Sequence, residues 1–384
     1  MLSDQEAGMA VNVSPEHQMD AAARVDTCEV VVVGAGLVGA AVVANLAAEG
    51  LDIAVLEARD VTGGATGHAA GMVLTGLPMP YAEAIAKGSR ETARDLWSLT
   101  VDGRIGLVST AERLGVDVQR TGSLVLAANA EEAAILRTSA ALLRDDGFNV
   151  QFRETDPLDR GFAGALYYSD AVVVDTVSLT QRIFEFDNVS VHTNTEVYGL
   201  VQDGDNVRVL ARGRTVKAST VVLAVNAYAP LVHSYFANKV APVRGYTFIT
   251  EPMEEGTIPT PASCGPFYFR QTADGRLVFA AWPKTYEAPA AGPRDHSAEI
   301  DLMRFAGLHF PTAAKKFVQR ESSVMGISRD GLPLIGALPD LPQVFFAVGF
   351  ANSGLNLAFA AAEMLVGLID RGAEPRMLRA KRLE

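Results

Sequence analysis

The sequence predicts an α/β protein in which a dinucleotide-binding domain is interrupted by a β-rich one. Three observations predict it. The chain opens on a strand–glycine turn–helix pattern, "VVVVGAGLVGAAVVANLA" (Val30 to Ala47). Its middle third is rich in β-branched runs separated by Gly-Asp turns, the signature of hairpins. Near the end, "QVFFAVGFANSGLNLAFAAAEMLVGLI" returns to strand, glycine turn and helix, so the α/β layer closes with residues from both ends of the chain.

The elements follow in order. Val30–Val33 reads as a short buried strand, Leu37–Glu49 as a helix and Asp52–Glu57 as a second strand. Apolar residues at helical spacing, such as Ile85, Leu96, Leu99 and Leu107, extend from Tyr81 to Leu114. "GSLVLAAN" (Gly122–Asn129) is a strand, Glu131–Asp145 a helix and Phe148–Glu154 a strand. The hairpins then begin, with "VRGYTFITEP" one strand signal and Phe267–Trp282 a hairpin turning at Asp274-Gly275. Asp301–Phe317 is helical again. The expected division is a flexible extension over 1–26, a discontinuous nucleotide domain over 27–115, 172–240 and 326–384, and a substrate domain over 116–171 and 241–325.

Composition narrows the function classes. A chain of 384 residues is long for a single core. The formal charge of −12 disfavours nucleic acid or an anionic membrane as a partner. Only Cys28 and Cys264 are present: they form no disulfide framework and no iron–sulfur site, and Cys28 reads as a small core residue. No metal motif is present. Val30–Ala48 is uncharged like a membrane span, but its three early glycines and Asn45 fit strand, turn and helix better. The start of the chain lacks a secretory h-region, so the expected address is the cytoplasm.

The first loop, Gly34-Ala-Gly36-Leu37-Val38-Gly39, fits G-x-G-x-x-G with a strand before it and a helix after it. The first glycine permits the turn, the second admits a pyrophosphate, and the third lets helix pack on strand. Free N–H groups at the helix start then meet the phosphates. Glu57, eighteen residues beyond Gly39, is placed to accept from a ribose diol and opposes a 2′-phosphate. The loop alone does not separate FAD from NAD. A second small-residue cluster, "LEARDVTGGATGHAAGMVL" (Leu56–Leu74), would let backbone pass close to a flat, extended flavin.

Here the sequence resembles the FAD-dependent D-amino-acid oxidase-like group, which includes glycine oxidase, sarcosine oxidase and dehydrogenase, and dimethylglycine dehydrogenase. "LEARDVTGGATGHAAGM" is similar to the group's E-x-x-x-x-x-x-G-A-S/T-x-x-A-A-G run, "VRGYTFITEP" to its P-V-R-G-Q strand, and "FYFRQTADGRLVFAA" to its Y-x-R-x-x-x-D-G-R hairpin. "SRDGLPLIG" (Ser328–Gly336) with "AVGFANSGLNLAFA" resembles its C-terminal flavin closure. The likeness runs in order from about Glu29 to Arg371.

The resemblance implies a Rossmann-type FAD-binding domain of the glutathione-reductase type with an inserted β-rich substrate domain. Besides the first loop, it implies contacts to FAD from Glu57, Ala58 and Arg59, and from Gly64, Ala65, Thr66, His68, Ala69, Ala70, Gly71 and Met72. It adds Val197, Ala224 and Asn226, the last standing where a glycine is usual, together with Gly326. Ala351, Asn352, Ser353, Gly354, Leu355 and Asn356 fall near the flavin N1–C2=O edge, where a helix start would face the charge of the reduced ring. "T-G-H-A-A-G-M" is similar to the T-W-H-A-A-G-L of dimethylglycine dehydrogenase, whose histidine carries FAD covalently. His68 is therefore a candidate for a covalent link, with a pocket-lining or capping ring as the competing readings. Ser323 stands at the place of the sarcosine oxidase cysteine, which excludes that attachment.

The implied activity is oxidation of a C–N bond in an amino acid or a secondary or tertiary amine, by hydride transfer to flavin N5, giving an imine that hydrolyses. Oxygen or another acceptor would reoxidise the flavin. The arginine that binds carboxylate in glycine oxidase-type relatives has no counterpart in "VMGISRDGLP". Arg270 and Arg329 are the candidates for that task, because a guanidinium fork suits a carboxylate. Alternation puts Arg270, Tyr268 and Pro266 on one strand face, and Tyr246 and Trp282 are further candidates for the pocket wall. The alternatives are a flavin monooxygenase-type enzyme, a non-catalytic flavin-binding protein and an NAD dehydrogenase.

Overall fold

A computed structural model describes residues 25–254, 256–282 and 297–384. Most of the expected leading extension, residues 1–24, lies outside the described residues. Val25 and Asp26, assigned to that extension, are already part of the first strand, β1 (Val25–Val33).

Val30–Val33 are buried on both faces, as a central parallel strand requires. β1 pairs in parallel with Arg214–Leu223 on one side and with β2 (Ile53–Leu56) on the other. The sheet continues past β2 to Val189–His192. On its other side an antiparallel meander, Val197–Asp203 and Asn206–Ala211, pairs with the first half of Arg214–Leu223. The second half of that strand pairs with Val344–Val348, which carries Leu334–Ala337 antiparallel. One sheet thus joins residues from the beginning, middle and end of the chain.

Helix α1 (Leu37–Leu46) leaves this sheet buried on nearly every side, as its continuous apolar sequence demands. It stops three residues before the expected Glu49. Ala47–Glu49 tighten into a 3₁₀ turn, and Gly50 takes a left-handed conformation with φ 78°. The single helix expected over Tyr81–Leu114 divides into α2 (Tyr81–Lys87) and α3 (Arg90–Arg113). Gly88 ends the first, and the Ser89 hydroxyl accepts from Thr92 N to start the second. The helix Gly354–Arg371 packs against α1 and α3. It is apolar and long enough to cross a membrane by composition, but 61% of its apolar window lies inside the protein, as in a core helix.

A second sheet of eight strands stands beside the first. In order it contains Phe317–Ser328, Val240–Pro252, Arg276–Ala281, Phe267–Gln271, Ala262–Cys264, Ser123–Ala127, Gly164–Tyr168 and Val150–Arg153. Phe248, Phe269, Phe279 and Phe310 form its aromatic core. The expected helix over Asp301–Phe317 is shorter at its end. It runs over Ser297–His309, Phe310 leaves the helical conformation ahead of Pro311, and Phe317 already begins a strand. Helix α4 (Ala130–Asp145) and α2 cover one end of this sheet, near Leu166 and Tyr168. Cys28 is partly buried, with its thiol donating to Val30 O, and Cys264 is buried in the second core.

Candidate active site

One continuous cavity of about 910 Å³ runs from the carboxyl ends of β1 and β2 to the second sheet. That is the crevice where open α/β sheets bind ligands. Gly34, Gly36, Leu37 and Val38 line its start. Gly39 does not, because its task is packing: a Cβ there would collide with the Gly34 carbonyl oxygen. The α1 N-terminus has no side-chain cap from Gly36, and Thr66 Oγ1 accepts from Leu37 N at 3.0 Å. This bond ties the second small-residue cluster to the first.

Glu57 sits at the end of β2 with both carboxylate oxygens oriented by backbone. One accepts from Ala35 N at 2.8 Å and the other from Arg59 N at 2.9 Å. Each oxygen keeps a lone pair for a diol. Ala58, Arg59, Val197, Ala224 and Asn226 line the same end, joined by Thr195, Glu196 and Tyr228. The Arg59 guanidinium lies over the Tyr228 ring, 5.1 Å from its centroid. Asn226 has φ 42°, a left-handed conformation that asparagine tolerates almost as glycine does. Its side chain adds what glycine lacks: Oδ1 accepts from Gly349 N at 3.1 Å and Phe350 N at 3.3 Å. The departure from glycine therefore ties this loop to the C-terminal turn, and Gly326 packs directly beneath it against Ala227.

Farther along, Gly64, Ala65, Thr66, Ala69, Ala70 and Met72 line one wall, facing Ala351, Asn352, Ser353, Gly354, Leu355 and Asn356. No side chain caps the helix beginning at Gly354. Ala351 is held at φ 47°, a strained conformation of the kind that clusters at ligand sites. Three buried acceptors on these walls, Thr75 Oγ1, Asn352 Oδ1 and Asn356 Oδ1, have no hydrogen-bond partner among the described residues. Buried polar atoms are normally satisfied, so this stretch suits a flat polar ring system that donates as well as accepts. An elongated flavin dinucleotide fits the cavity's glycine-lined start and these orphaned atoms.

The substrate-side candidates separate. Tyr268 and Trp282 line the cavity. Burial pushes the Tyr268 hydroxyl up to about 12, opposed by the polar side chain of Asn352. Trp282 sits where a Cβ on Gly245 would be, so that glycine makes room for the indole. Tyr246, the next residue, points the other way. Strand alternation puts it with Phe248 in the aromatic core, off the cavity wall.

Arg270 shares the Tyr268 face, as expected, but lies outside the main cavity. Its Nε donates to Ala70 O, and it borders a separate space of about 280 Å³ with Asp175 and Gln119. Burial lowers its pKa, opposed by the nearby Asp175 charge. Its place is behind the 69–71 loop, and Gly71 borders the same space. Arg329 is exposed, donates to Leu383 O at 2.6 Å and lines neither of these two spaces. His68 also lies outside the cavity lining. Its Nδ1 is 3.0 Å from Gly64 O, its Nε2 3.7 Å from a Glu321 carboxylate oxygen. The ring thus packs between the 64–68 turn and Glu321, the arrangement of a capping ring.

Sequence reasoning missed the cavity's outer reach, lined by α2, α4 and the strands Ser123–Ala127 and Gly164–Tyr168. Among the described residues no cluster of His, Cys, Asp or Glu could hold a metal.

Comparison with known proteins gives a consistent result. The model of the FAD dependent oxidoreductase family, DAO, matches residues 29–368. Glycine oxidase from Pseudomonas aeruginosa is 26% identical, over 90% of this chain and 95% of that protein. The crystal structure of glycine oxidase from Geobacillus kaustophilus superposes with a TM-score of 0.78 at 22% identity, covering 93% of this chain and 99% of that one. That of L-proline dehydrogenase from P. horikoshii gives 0.77 at 21%, covering 94% and 98%.

Proposed function

Since the chain belongs to the FAD dependent oxidoreductase family, we propose that it oxidises the C–N bond of an amine or amino acid. FAD is its cofactor, held between the Gly34–Val38 loop with Glu57 at one end and the 64–72 and 351–356 segments at the other. The observation that carries the reading is the single cavity, which leads from that cofactor stretch directly to Tyr268 and Trp282. Relatives named glycine oxidase and L-proline dehydrogenase act on nitrogen-bearing carbons, in keeping with this reading. When bound, the flavin supplies the acceptor for the hydride that leaves the carbon beside nitrogen.

The chain's own residues have narrower tasks. Tyr268 stays protonated at any working pH, since burial raises it to about 12. It serves as a hydrogen-bond donor and not as a base. Trp282 and Ala280 supply a flat apolar wall that orients the substrate and keeps water from the reacting carbon. The carboxylates of the lining belong to Glu57 and Glu196 at the nucleotide end and to Glu83 and Glu132 on α2 and α4. The amine therefore arrives neutral, its proton lost to water, and its lone pair assists the departure of hydride.

The test is anaerobic mixing of the FAD-loaded protein with a panel of amines and amino acids while the oxidised-flavin absorbance is followed. Substrate-dependent bleaching, with imine-derived carbonyl product, is expected. If no nitrogen compound bleaches the flavin while dithionite does, the reading fails. Admitting air afterwards shows whether oxygen or another acceptor restores the colour.

A further inference from the structure

The cavity continues past Tyr268 and Trp282 into an arm between the second sheet and helices α2 and α4. Leu77, Met79, Val125, Ile135, Leu136 and Leu166 form its sides. Its buried polar groups are neutral hydroxyls, and its two carboxylates, half-buried Glu83 and exposed Glu132, sit on α2 and α4. Ser123, Ser263 and Tyr168 lie on neighbouring strands and are buried, and burial holds the Tyr168 phenol up to about 12. α2 runs from buried Tyr81 to exposed Lys87, so the arm opens toward solvent along that helix.

Among the described residues, only Arg59 and Lys87 bring a cation to the cavity wall. Arg59 is at the nucleotide end, held against Tyr228. Lys87 is the exposed last residue of α2, one turn beyond Glu83. Neither belongs to the wall of Tyr268, Trp282 and Ala280 beside the cofactor stretch. Arg270 is behind the 69–71 loop, and Arg329 is at the surface. A carboxylate on the reacting carbon would lie against that neutral wall. A desolvated carboxylate without a cation or several donors is strongly disfavoured. An apolar tail on the same carbon or on the nitrogen would instead bury its surface in the arm.

We propose that the preferred substrate is an amine with an apolar tail of several carbons and no carboxylate on the oxidised carbon, the tail lying in the arm bounded by Val125, Ile135 and Leu166. This rests on the C–N oxidation reading above and adds the substrate class to it.

The experiment compares two matched series on the FAD-loaded full chain: N-methyl alkylamines from ethyl to octyl, and N-methyl amino acids of the same tail lengths. Anaerobic bleaching gives the rate constant over Kd for each, and calorimetric titration under anaerobic conditions gives binding independently of turnover. In the first series the specificity is expected to rise about fourfold per added methylene until the arm is full. Each carboxylated counterpart is expected to be weaker by about tenfold or more. Ile135→Trp, at a half-buried position on α4, should move the optimum toward shorter tails, and Val125→Phe should do so from the opposite wall. If the amino-acid series is as good or better, or if tail length has no effect, the inference is overturned while C–N oxidation stands. If neither series bleaches the flavin, the oxidation reading fails and takes the inference with it.

Discussion

Asn226 offers the sharpest test of how the cofactor stretch is assembled. Its Oδ1 accepts from Gly349 N and Phe350 N, and both of those residues are buried. Asn226→Gly keeps the left-handed backbone but leaves two buried amides without their acceptor, at about 1–3 kcal/mol each. Some of that returns if water enters, so the expected loss is about 2–4 kcal/mol. Asn226→Ala suffers the same loss and must also hold φ 42° with a Cβ, which adds about 1–2 kcal/mol. The assay is urea unfolding of the FAD-loaded and FAD-stripped forms of wild type and both variants. The alanine variant should be the least stable and the glycine variant intermediate. Both should bind FAD more weakly, because the turn they loosen leads into Ala351–Asn356. If alanine and glycine prove equal within about 0.5 kcal/mol, backbone strain has no part in this position. If both match wild type, the tie between the two loops is not structural, and the account of why asparagine replaces glycine here is wrong.

Three further outcomes are expected. Glu57→Gln puts an amide donor against the Ala35 or Arg59 N–H; FAD affinity should fall about tenfold to a hundredfold by fluorescence titration, and unchanged affinity would remove Glu57 from the site. Gly245→Ala drives a Cβ into the Trp282 ring; the indole should leave its place, read as a shift in tryptophan emission with substrate Kd raised more than FAD Kd. At Asp330 burial opposes ionisation, but the hydrogen bonds and charge of Arg382, with help from Leu332 N and Ser328, outweigh it and hold the carboxyl below its usual value. A depressed carboxyl contributes stability above its unfolded pKa, near 4, that is lost as pH falls through the folded one. Asp330→Asn should therefore cost about 1 kcal/mol at neutral pH, with a third of the side chain screened by water, and nearly nothing in strong acid. An equal loss at both pH values would contradict the ion pair's role.

What was legible in the sequence, and what was not, follows from how local each signal is. Gly34, Gly36 and Gly39 act through backbone within one turn, so their spacing alone exposes strand, turn and helix. The same holds for the small residues of 64–72 and for the glycine turn before Gly354. Tyr246 failed for a different reason: alternation says that neighbours face opposite ways, but not which way the core lies. Gly245 carried that information, since a bare backbone beside an aromatic residue marks where another ring will press, and that ring is Trp282. For Arg270 the alternation with Tyr268 was correct, yet the Ala70 carbonyl, two hundred residues earlier in the chain, takes its Nε and turns it from substrate to scaffold. His68 likewise lies 3.7 Å from Glu321, a residue no local pattern links to it.

The outer arm was illegible for the deepest reason. Val125, Ile135 and Leu166 are apolar residues on ordinary strands and a helix, and nothing in their sequence separates a wall that packs from one that waits for a ligand. Leu136 and Leu166 do both, belonging to the core under α4 while bordering the cavity. A binding surface made of such residues becomes visible only when the sheet and helix meet without closing. Its chemistry is then carried by what the apolar lining leaves out, namely, among the described residues, a cation beside Tyr268, as much as by what it contains. That is why substrate class, unlike the cofactor site, had to be argued from the folded chain.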